Sequence, residues 1–263
     1  MSISFVFFGS SPFSASVLRE LVAAKLAPQL IVNDARAPLD VAALRQRAPA
    51  GGWDVFIVAS FGKIIPAEIL ALPKHGSLNV HPSLLPKYRG PSPIQSAILA
   101  DEQRNGVSIM EMDAELDHGP VVAQKEISLS PWPPRYDDLE KILGAAGGKL
   151  LAEILPNWCA GKISSTTQDH SAATFTKKIT LADGHLSFDP ATKNLAGDPY
   201  QNFLKIQAFA RWPKAHFFIE RKGRRQRIVI TAARYENNTL IPECVVPEGK
   251  QEMDWRDFAK GYL

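Results

Sequence analysis

Short apolar runs alternate with amphipathic segments through roughly the first half of the chain, and this alternation constrains the fold more than any other feature. Six runs have the length of buried strands: Ser4–Phe8, Gln29–Val32, Val55–Ala59, Ser77–Val80, Gly106–Met112 and Val121–Ser128. Helical patterns cover Ser14–Lys25, Leu39–Arg47, Pro66–Leu70, Ile94–Ala100 and Tyr136–Leu155. This order predicts an α/β fold with a Rossmann-like, mostly parallel sheet and helices on both faces.

In sheets of this kind, ligands bind beyond the carboxyl ends of the strands. We therefore expect a site built from four loops: Gly9–Phe13, Ser60–Lys63, His81–Gly90 and Asp113–Gly119. The first of these loops has no glycine repeat at dinucleotide-binding spacing and no P-loop lysine, so it is interpreted as a plain strand-to-helix turn.

A polar stretch rich in Ser and Thr, residues 161–176, predicts a linker between a first domain of residues 1–160 and a small domain of residues 177–263. In the small domain, Lys222-Gly223-Arg224 is a hairpin turn signal between two apolar segments. Further short apolar runs near the end of the chain predict that this domain is a small, OB-like β-barrel.

The net charge of +3 is distributed unevenly. Residues 1–170 carry 15 basic and 17 acidic side chains, whereas residues 171–263 carry 15 basic and 10 acidic ones. Between Lys205 and Arg234 there are nine basic side chains and one acid, Glu220. A charge run of this kind is often only a solvated face, but the asymmetry also fits a basic module that binds a polyanion.

Several classes of protein are disfavoured by composition. No run of about 18 apolar residues occurs, so no membrane span is expected. The first apolar run ends at Gly9 and lacks a basic lead, which disfavours a signal peptide and favours a cytoplasmic location. Cys159, Cys244 and the six histidines show no metal-ligand spacing, so free thiols and no metal site are predicted.

Asn79 and His81 are the first candidates for catalysis. They stand two residues apart at the end of a predicted strand, so both side chains emerge on the same face. Two such donors can hold a developing oxyanion, although an Asn capping a loop beside a structural His is the alternative. Asp117 lies in an acidic loop and can orient and charge His81, as carboxylate–imidazole pairs do in acyl transfer. A solvated acidic turn is the alternative for that loop.

Four segments carry a resemblance: Asn79–Gly90, Pro93–Gln95, Gly106–Met110 and Leu116–Pro120. Together they closely resemble the methionyl-tRNA formyltransferases, within the folate-dependent formyltransferase superfamily that shares Asn, His and Asp at these positions. The likeness continues through Ala173–Phe175 with Lys178, Ala208–Pro213, and Pro247–Lys250 on to Asp257-Phe258, so it covers nearly the whole chain. It implies that an amine attacks the formyl carbon of 10-formyltetrahydrofolate. Asn79 and protonated His81 would then hold the tetrahedral oxyanion, while Asp117 orients His81 and moves the amine proton.

The resemblance also implies binding residues. Those expected to contact the folate are Phe61, Gly62, Ser83, Leu84, Leu85, Pro86 and Asp113, with Ile64 as a further apolar wall. Phe13 and Arg89 are expected to contact the initiator methionyl-tRNA. The crowding of cations around the predicted hairpin adds Arg221, Arg224 and Arg225 to the expected tRNA contacts. Phe13 would lie near the methionyl side chain, although a core Phe at a helix start is the alternative. A monomer without a membrane partner is expected.

Three departures from the family pattern are visible. Residues 33–38 stand where the family has a long basic loop, so the chain resembles a shortened form. Ser10-Ser11-Pro12 stands where Thr-Pro-Asp is usual, and His118 stands where Thr is frequent. The alternative function is a sugar-nucleotide N-formyltransferase using the same folate and catalytic residues. A formyltetrahydrofolate hydrolase would carry a regulatory domain before the catalytic one, and a glycinamide ribonucleotide formyltransferase leaves the C-terminal domain unexplained. A non-catalytic RNA-binding module is disfavoured because all three catalytic residue types are present.

Overall fold

A computed structural model describes residues 3–263, which form two compact units. The first unit comprises the chain up to Pro93, Arg104–Ser128 and Leu139–Thr176. The second comprises Ile94–Gln103, Leu129–Asp138 and Lys177–Leu263. Residues 161–176, which we predicted to be a linker, thus belong to the first unit. The physical reason is main-chain pairing, since Thr166 and Val121 exchange two hydrogen bonds of 2.8 Å.

The first unit is built on a six-stranded sheet with the order β2-β1-β3-β4-β5-β6. Its strands are β1 (Phe5–Phe8), β2 (Leu30–Val32), β3 (Val55–Val58), β4 (Ser77–His81), β5 (Asn105–Glu111) and β6 (Val121–Ile127). The pairings among β1 to β4 are parallel, whereas β5 pairs antiparallel with both β4 and β6. The mostly parallel α/β sheet predicted from the sequence is therefore confirmed.

Helices cover the central strands, which explains why the apolar runs in those strands are continuous. The helices of the first unit are α1 (Pro12–Ala23), α2 (Val41–Gln46), α3 (Ala67–Leu70) and most of α5 (Tyr136–Cys159), whereas α4 (Pro93–Leu99) belongs to the second unit from Ile94 onward. Every residue of β1 and β3 is buried, as expected for parallel strands covered on both faces. Leu44 of α2 and Ile69 of α3 pack in one core cluster with Phe8 and Val58. On the other face, α5 approaches so closely that a Cβ on Gly147 would lie 2.6 Å from Val80 Cγ1.

The second unit has an antiparallel sheet with the order β12-β11-β10-β9. Its elements are β7 (Phe188–Asp189), β8 (Asn194–Leu195), α6 (Pro199–Ala208), β9 (His216–Arg221), β10 (Arg224–Glu236), β11 (Thr239–Pro247), β12 (Met253–Asp254) and α7 (Trp255–Tyr262). The predicted hairpin is present, because β9 and β10 pair on either side of Lys222-Gly223. Within residues 3–263 the hydrogen-bonded order has β9 and β12 at its two ends.

The core of this unit explains why the C-terminal residues fold against it. Phe217 of β9 and Phe258 of α7 are fully buried in one cluster with Ile228 and Val245. Helix α7 begins at an N-cap aspartate, Asp254, whose side chain accepts from the N–H of Arg256. Within residues 3–263, no helix is both long and apolar enough to cross a bilayer.

Candidate active site

Strand β4 presents two side chains of the site. Its pairing with β3 sets Asn79 opposite Val58, and its pairing with β5 sets His81 opposite Ser108. Because successive strand residues alternate between faces, Asn79 and His81 share the face opposite Val80. Both lie at the carboxyl end of the strand, as the spacing predicted.

Asp117 joins them from the loop after β5. Its Oδ1 accepts a hydrogen bond from Asn79 Nδ2 at 3.2 Å and lies 3.5 Å from His81 Nδ1. Its Oδ2 accepts from the main-chain N–H of Gly90 at 2.7 Å. The carboxylate is 9% exposed, and the residue has a left-handed φ of 51°. The three predicted catalytic residues therefore converge around one buried carboxylate.

The orientation of the His81 ring follows from its other contact. Nε2 lies 3.0 Å from the carbonyl oxygen of Tyr88, which can only accept, so Nε2 carries a hydrogen. Nδ1 is then the nitrogen that faces Asp117, and protonation of the ring gives it a donor there. Donors on Asn79 and His81 beside one carboxylate suit the stabilisation of an oxyanion and the movement of a proton.

The loop that follows His81 is held by a buried hydroxyl. Ser108 Oγ donates to the Ser83 carbonyl at 2.6 Å and accepts from the Leu85 N–H at 3.0 Å. Gln124 Nε2 donates to the Leu85 carbonyl at 2.7 Å. The side chain of Leu84 packs where β5 has Gly106, since a Cβ there would lie 2.6 Å from Leu84 Cδ2. The main chain of residues 83–85 thus faces the protein, and Leu84 and Pro86 are the partly exposed side chains.

The other residues that were predicted to contact the folate differ in their solvent exposure. Phe61 is buried and packs edge-on against Phe8, with ring centroids 5.6 Å apart. Leu85 and Ser83 are buried too, and the Ser83 hydroxyl donates to the Lys87 carbonyl. Gly62 is exposed with a φ of +77°, a left-handed value that favours glycine. Ile64 is 89% exposed, and Asp113 is exposed on its own loop. Gly62, Ile64 and Asp113 thus present exposed surface, whereas Phe61 packs in the core.

Two predicted substrate contacts are placed otherwise than expected. Phe13 is 1% exposed and packs beside α5, where a Cβ on Gly144 would lie 3.4 Å from its ring. Arg89 is 3% exposed, and its guanidinium donates to Gln168 Oε1 and lies 2.9 Å from His170 Nδ1. Phe13 is thus packed as a core residue, and the Arg89 guanidinium is held by protein partners.

The remaining predicted contacts lie on the β9–β10 hairpin, in the second unit. A shallow cavity with a volume of about 630 Å³ lies here, and its lining includes Arg221, Lys222, Arg224 and Arg225. Arg221 lies over the Tyr262 ring at 4.1 Å, and Arg225 lies over the Phe218 ring at 3.9 Å. These cation–π contacts hold the stems while the charges stay at the surface.

Gln168 is the site residue that the sequence did not single out. It is buried, and its amide nitrogen donates to the main-chain carbonyls of Asp117 and Gly119 at 3.0 and 2.7 Å. Its place in a polar, Ser/Thr-rich stretch concealed it. A glutamine carries no chemistry by itself, and only the folded loop shows what it contacts.

His118 does not contact the Asp117 carboxylate. Its Nδ1 lies 2.7 Å from Asp113 Oδ2, and its ring stacks on that of His170 with centroids 4.2 Å apart. Across residues 3–263, no group of three or more His, Cys, Asp or Glu is arranged to hold a metal ion.

Comparison with known proteins identifies the family. Residues 25–155 match the family model described as formyl transferase. The methionyl-tRNA formyltransferase of Chloroflexus aurantiacus is 37% identical over 193 residues, which cover 73% of this chain and 59% of that protein. The enzyme of Myxococcus xanthus is 32% identical, over 95% of this chain and 82% of that protein. The chain belongs to the methionyl-tRNA formyltransferase family. It matches between half and two thirds of the length of the first five curated relatives.

Solved structures share the fold. A methionyl-tRNA formyltransferase from Clostridium thermocellum has a TM-score of 0.68 at 15% identity, over 96% of this chain and 99% of that one. HypX from Aquifex aeolicus, in complex with tetrahydrofolic acid, has a TM-score of 0.74 at 16% identity, over 99% of this chain and 47% of that one. A likely sugar N-formyltransferase from Mycobacterium tuberculosis has a TM-score of 0.67 at 20% identity, over 92% of this chain and 99% of that one. At these identities the likeness concerns the fold alone.

Proposed function

We propose that the chain transfers the formyl group of 10-formyltetrahydrofolate to the α-amine of methionyl initiator tRNA. The observation that carries the proposal is the convergence of Asn79, His81 and Asp117 at the carboxyl end of β4, in a chain of this family. All three chemical requirements of formyl transfer have a residue in this group: two donors for an oxyanion and one acceptor for a proton.

The proposed reaction passes through a tetrahedral intermediate. The amine nitrogen bonds to the formyl carbon, and the carbonyl π electrons move to the oxygen, which becomes an oxyanion. Donors on Asn79 and His81 stabilise that oxyanion. The Asp117 carboxylate takes the proton released by the amine. When the intermediate collapses, the bond from carbon to the folate nitrogen breaks, and that nitrogen receives the proton from Asp117.

The exposed loops beside β3 and β5 fit the folate. Gly62 and Ile64 are exposed after β3, and Asp113 is exposed after β5. A carboxylate beside main-chain groups suits a pterin ring, which presents several hydrogen-bond donors and acceptors on one edge. Leu84 and Pro86 supply apolar surface. In this proposal, Phe61 supports the loop from the core and does not touch the ligand.

The second unit is proposed to bind the tRNA. Lys222, Arg224 and Arg225 are exposed on the hairpin, and a positive surface of this kind binds phosphates by releasing counterions. Two register shifts near Ala232 in β10 act as bulges, which bend long strands toward closure. We keep the OB-like barrel, and a monomer acting in the cytoplasm, as parts of the proposal.

The alternative acceptor is a sugar nucleotide. It is kept because the segment between β2 and α2, residues 33–40, is short where the family has a long basic loop; Lys63 Nζ donates to the Ala37 carbonyl in this segment. The test is to incubate the purified chain with 10-formyltetrahydrofolate and methionyl initiator tRNA, and to quantify formylmethionine after mild base hydrolysis. Formylmethionine formation supports the proposal. Its absence, with formylation of an amino-sugar nucleotide in the parallel reaction, supports the alternative.

A further inference from the structure

The buried amide of Gln168 connects Asp117 to a buried arginine. Its Nε2 donates to the carbonyls of Asp117 and Gly119, and its Oε1 accepts from Arg89 Nε at 3.1 Å and Nη2 at 2.7 Å. A guanidinium can only donate, so the oxygen of the amide must face Arg89 and the nitrogen must face the two carbonyls. The network therefore fixes which way the amide points.

These bonds act on a strained piece of main chain. Asp117 has φ of 51°, and the residues that precede it, from Asp113 to Leu116, are exposed. The two carbonyls bound by Gln168 lie on Asp117 itself and just beyond it. The Gln168 amide binds the main chain on both sides of His118 and so stabilises this conformation of the loop.

Arg89 connects the two residues that bind Asp117: Gln168, which binds its main-chain carbonyl, and Gly90, which binds its carboxylate. Its own N–H donates to the Thr174 carbonyl at 2.9 Å, and its carbonyl accepts from the Thr176 N–H at 2.7 Å. The next residue, Gly90, donates to Asp117 Oδ2. The Asp117 main chain is thus bound through Gln168, and its carboxylate is bound through Gly90, from the same clamped segment.

We propose that Gln168 is a positioning residue for formyl transfer, acting through Asp117 and making no contact with either substrate. The inference rests on the proposed function. Displacing a catalytic group by about 1 Å can lower turnover on the order of 100-fold. A loss of Gln168 should therefore appear in kcat, with both KM values changed less than about threefold.

Two variants of the full chain separate positioning from simple support of Arg89. Gln168→Leu removes both the donor to the two carbonyls and the acceptor for Arg89. Gln168→Glu keeps an acceptor for Arg89 but sets oxygens against the two carbonyls. We expect kcat to fall on the order of 100-fold in both, measured per folate-binding site by titration with 5,10-dideaza-tetrahydrofolate. The matched control is Asn202→Leu, because Asn202 is a buried amide of the second unit that donates to the Ala196 carbonyl at 2.9 Å. We expect it to lower Tm and to leave kcat per site unchanged.

Counting per folate-binding site removes unfolded molecules from the result. If Gln168→Glu keeps kcat within threefold of the unsubstituted chain, Gln168 only partners Arg89 and the inference is overturned. A rise in folate KM with kcat retained overturns it also, because Gln168 would then serve binding. The unsubstituted chain is assayed first. If it transfers no formyl group, the proposed function fails. If it is active and the variants match it, only the inference about Gln168 fails.

Discussion

The main-chain N–H of Gly90 donates to Oδ2 of Asp117 across 2.7 Å, so one loop orients the carboxylate that another loop supplies. The second oxygen of that carboxylate faces Asn79 Nδ2 at 3.2 Å and His81 Nδ1 at 3.5 Å. Because these groups are already oriented, little reorganisation is needed when charge develops in the transition state. Preorganisation of this kind is usually the largest contribution to transition-state stabilisation in acyl transfer.

Asp117→Asn should lower kcat by about 100- to 10,000-fold, the range typical of losing a general base. The amide keeps the size of the side chain but cannot take the amine proton. Affinity for the folate should change only modestly, since the loss concerns the transition state. Steady-state kinetics together with folate titration measure both quantities. The matched control is Glu115→Gln, an exposed carboxylate of the same loop to which no role is assigned. Near-normal turnover in Asp117→Asn would sink the assignment.

Gly90→Ala should destabilise the first unit by about 2–4 kcal/mol, because strain and overpacking add. Its φ is +110°, and a Cβ there would lie 2.8 Å from Thr176 Oγ1 and 2.9 Å from the Thr176 carbonyl oxygen. Gly161→Ala is the control, since Gly161 has φ of +66° with nothing within 4 Å of a Cβ. It should cost only about 1 kcal/mol. Urea unfolding gives the free energy of unfolding of both variants. Equal losses of stability would show that a Cβ at Gly90 is accommodated without overpacking.

Arg224→Gln with Arg225→Gln should weaken binding of methionyl-tRNA and flatten its salt dependence. For every phosphate that is no longer neutralised, the magnitude of the log–log slope should fall by about 0.7–0.9. Glutamine preserves most of the aliphatic stem, so the Arg225–Phe218 packing is retained in part. Arg45→Gln with Arg47→Gln removes the same charge from α2 as a control. If both pairs give the same slope as the unsubstituted chain, the hairpin is a solvated edge.

Cys159 should react slowly with thiol reagents in the folded chain. Burial, with a smaller contribution from Asp54, raises the pKa of its thiol to about 11. A raised thiol pKa means less thiolate at any pH below it, and the thiolate is the nucleophile. At pH 8 the reaction with Ellman's reagent, in a Cys244→Ser background, should be about 100-fold faster after unfolding in urea. A folded-state rate equal to the unfolded rate would contradict the burial of this thiol.

Local pattern sufficed to predict the first sheet and the placement of Asn79 and His81 at one strand end. The burial of β1 and β3 on both faces follows from continuous apolar runs, and the period of a strand puts Asn79 and His81 on one face. Asp117 could be expected near them because both segments follow strands of the same sheet. The hydrogen-bond partners of Asp117 depend on its own left-handed φ and on the position of Gly90, and hydrophobic periodicity predicts neither.

Long-range contacts explain what the sequence did not show. Arg89 was predicted to bind a substrate, yet it is buried against Gln168, a residue 79 positions away. Phe13 looked equally suited to a pocket or a core, and only the approach of α5 decides between them. Residues 161–176 are polar like a linker, yet hydroxyls and an amide among them make hydrogen bonds within the first unit. Composition alone does not distinguish such bonded polar groups from solvated ones.

The most direct test of the central claim is one competition reaction. The purified chain, 10-formyltetrahydrofolate labelled on the formyl carbon, methionyl initiator tRNA and an amino-sugar nucleotide are combined under single-turnover conditions, and the label is followed to each acceptor. We predict that the label appears on the methionyl α-amine and that Asp117→Asn slows this transfer by at least about 100-fold. Label on the amino sugar alone, or transfer to methionine at an undiminished rate in Asp117→Asn, would contradict the account.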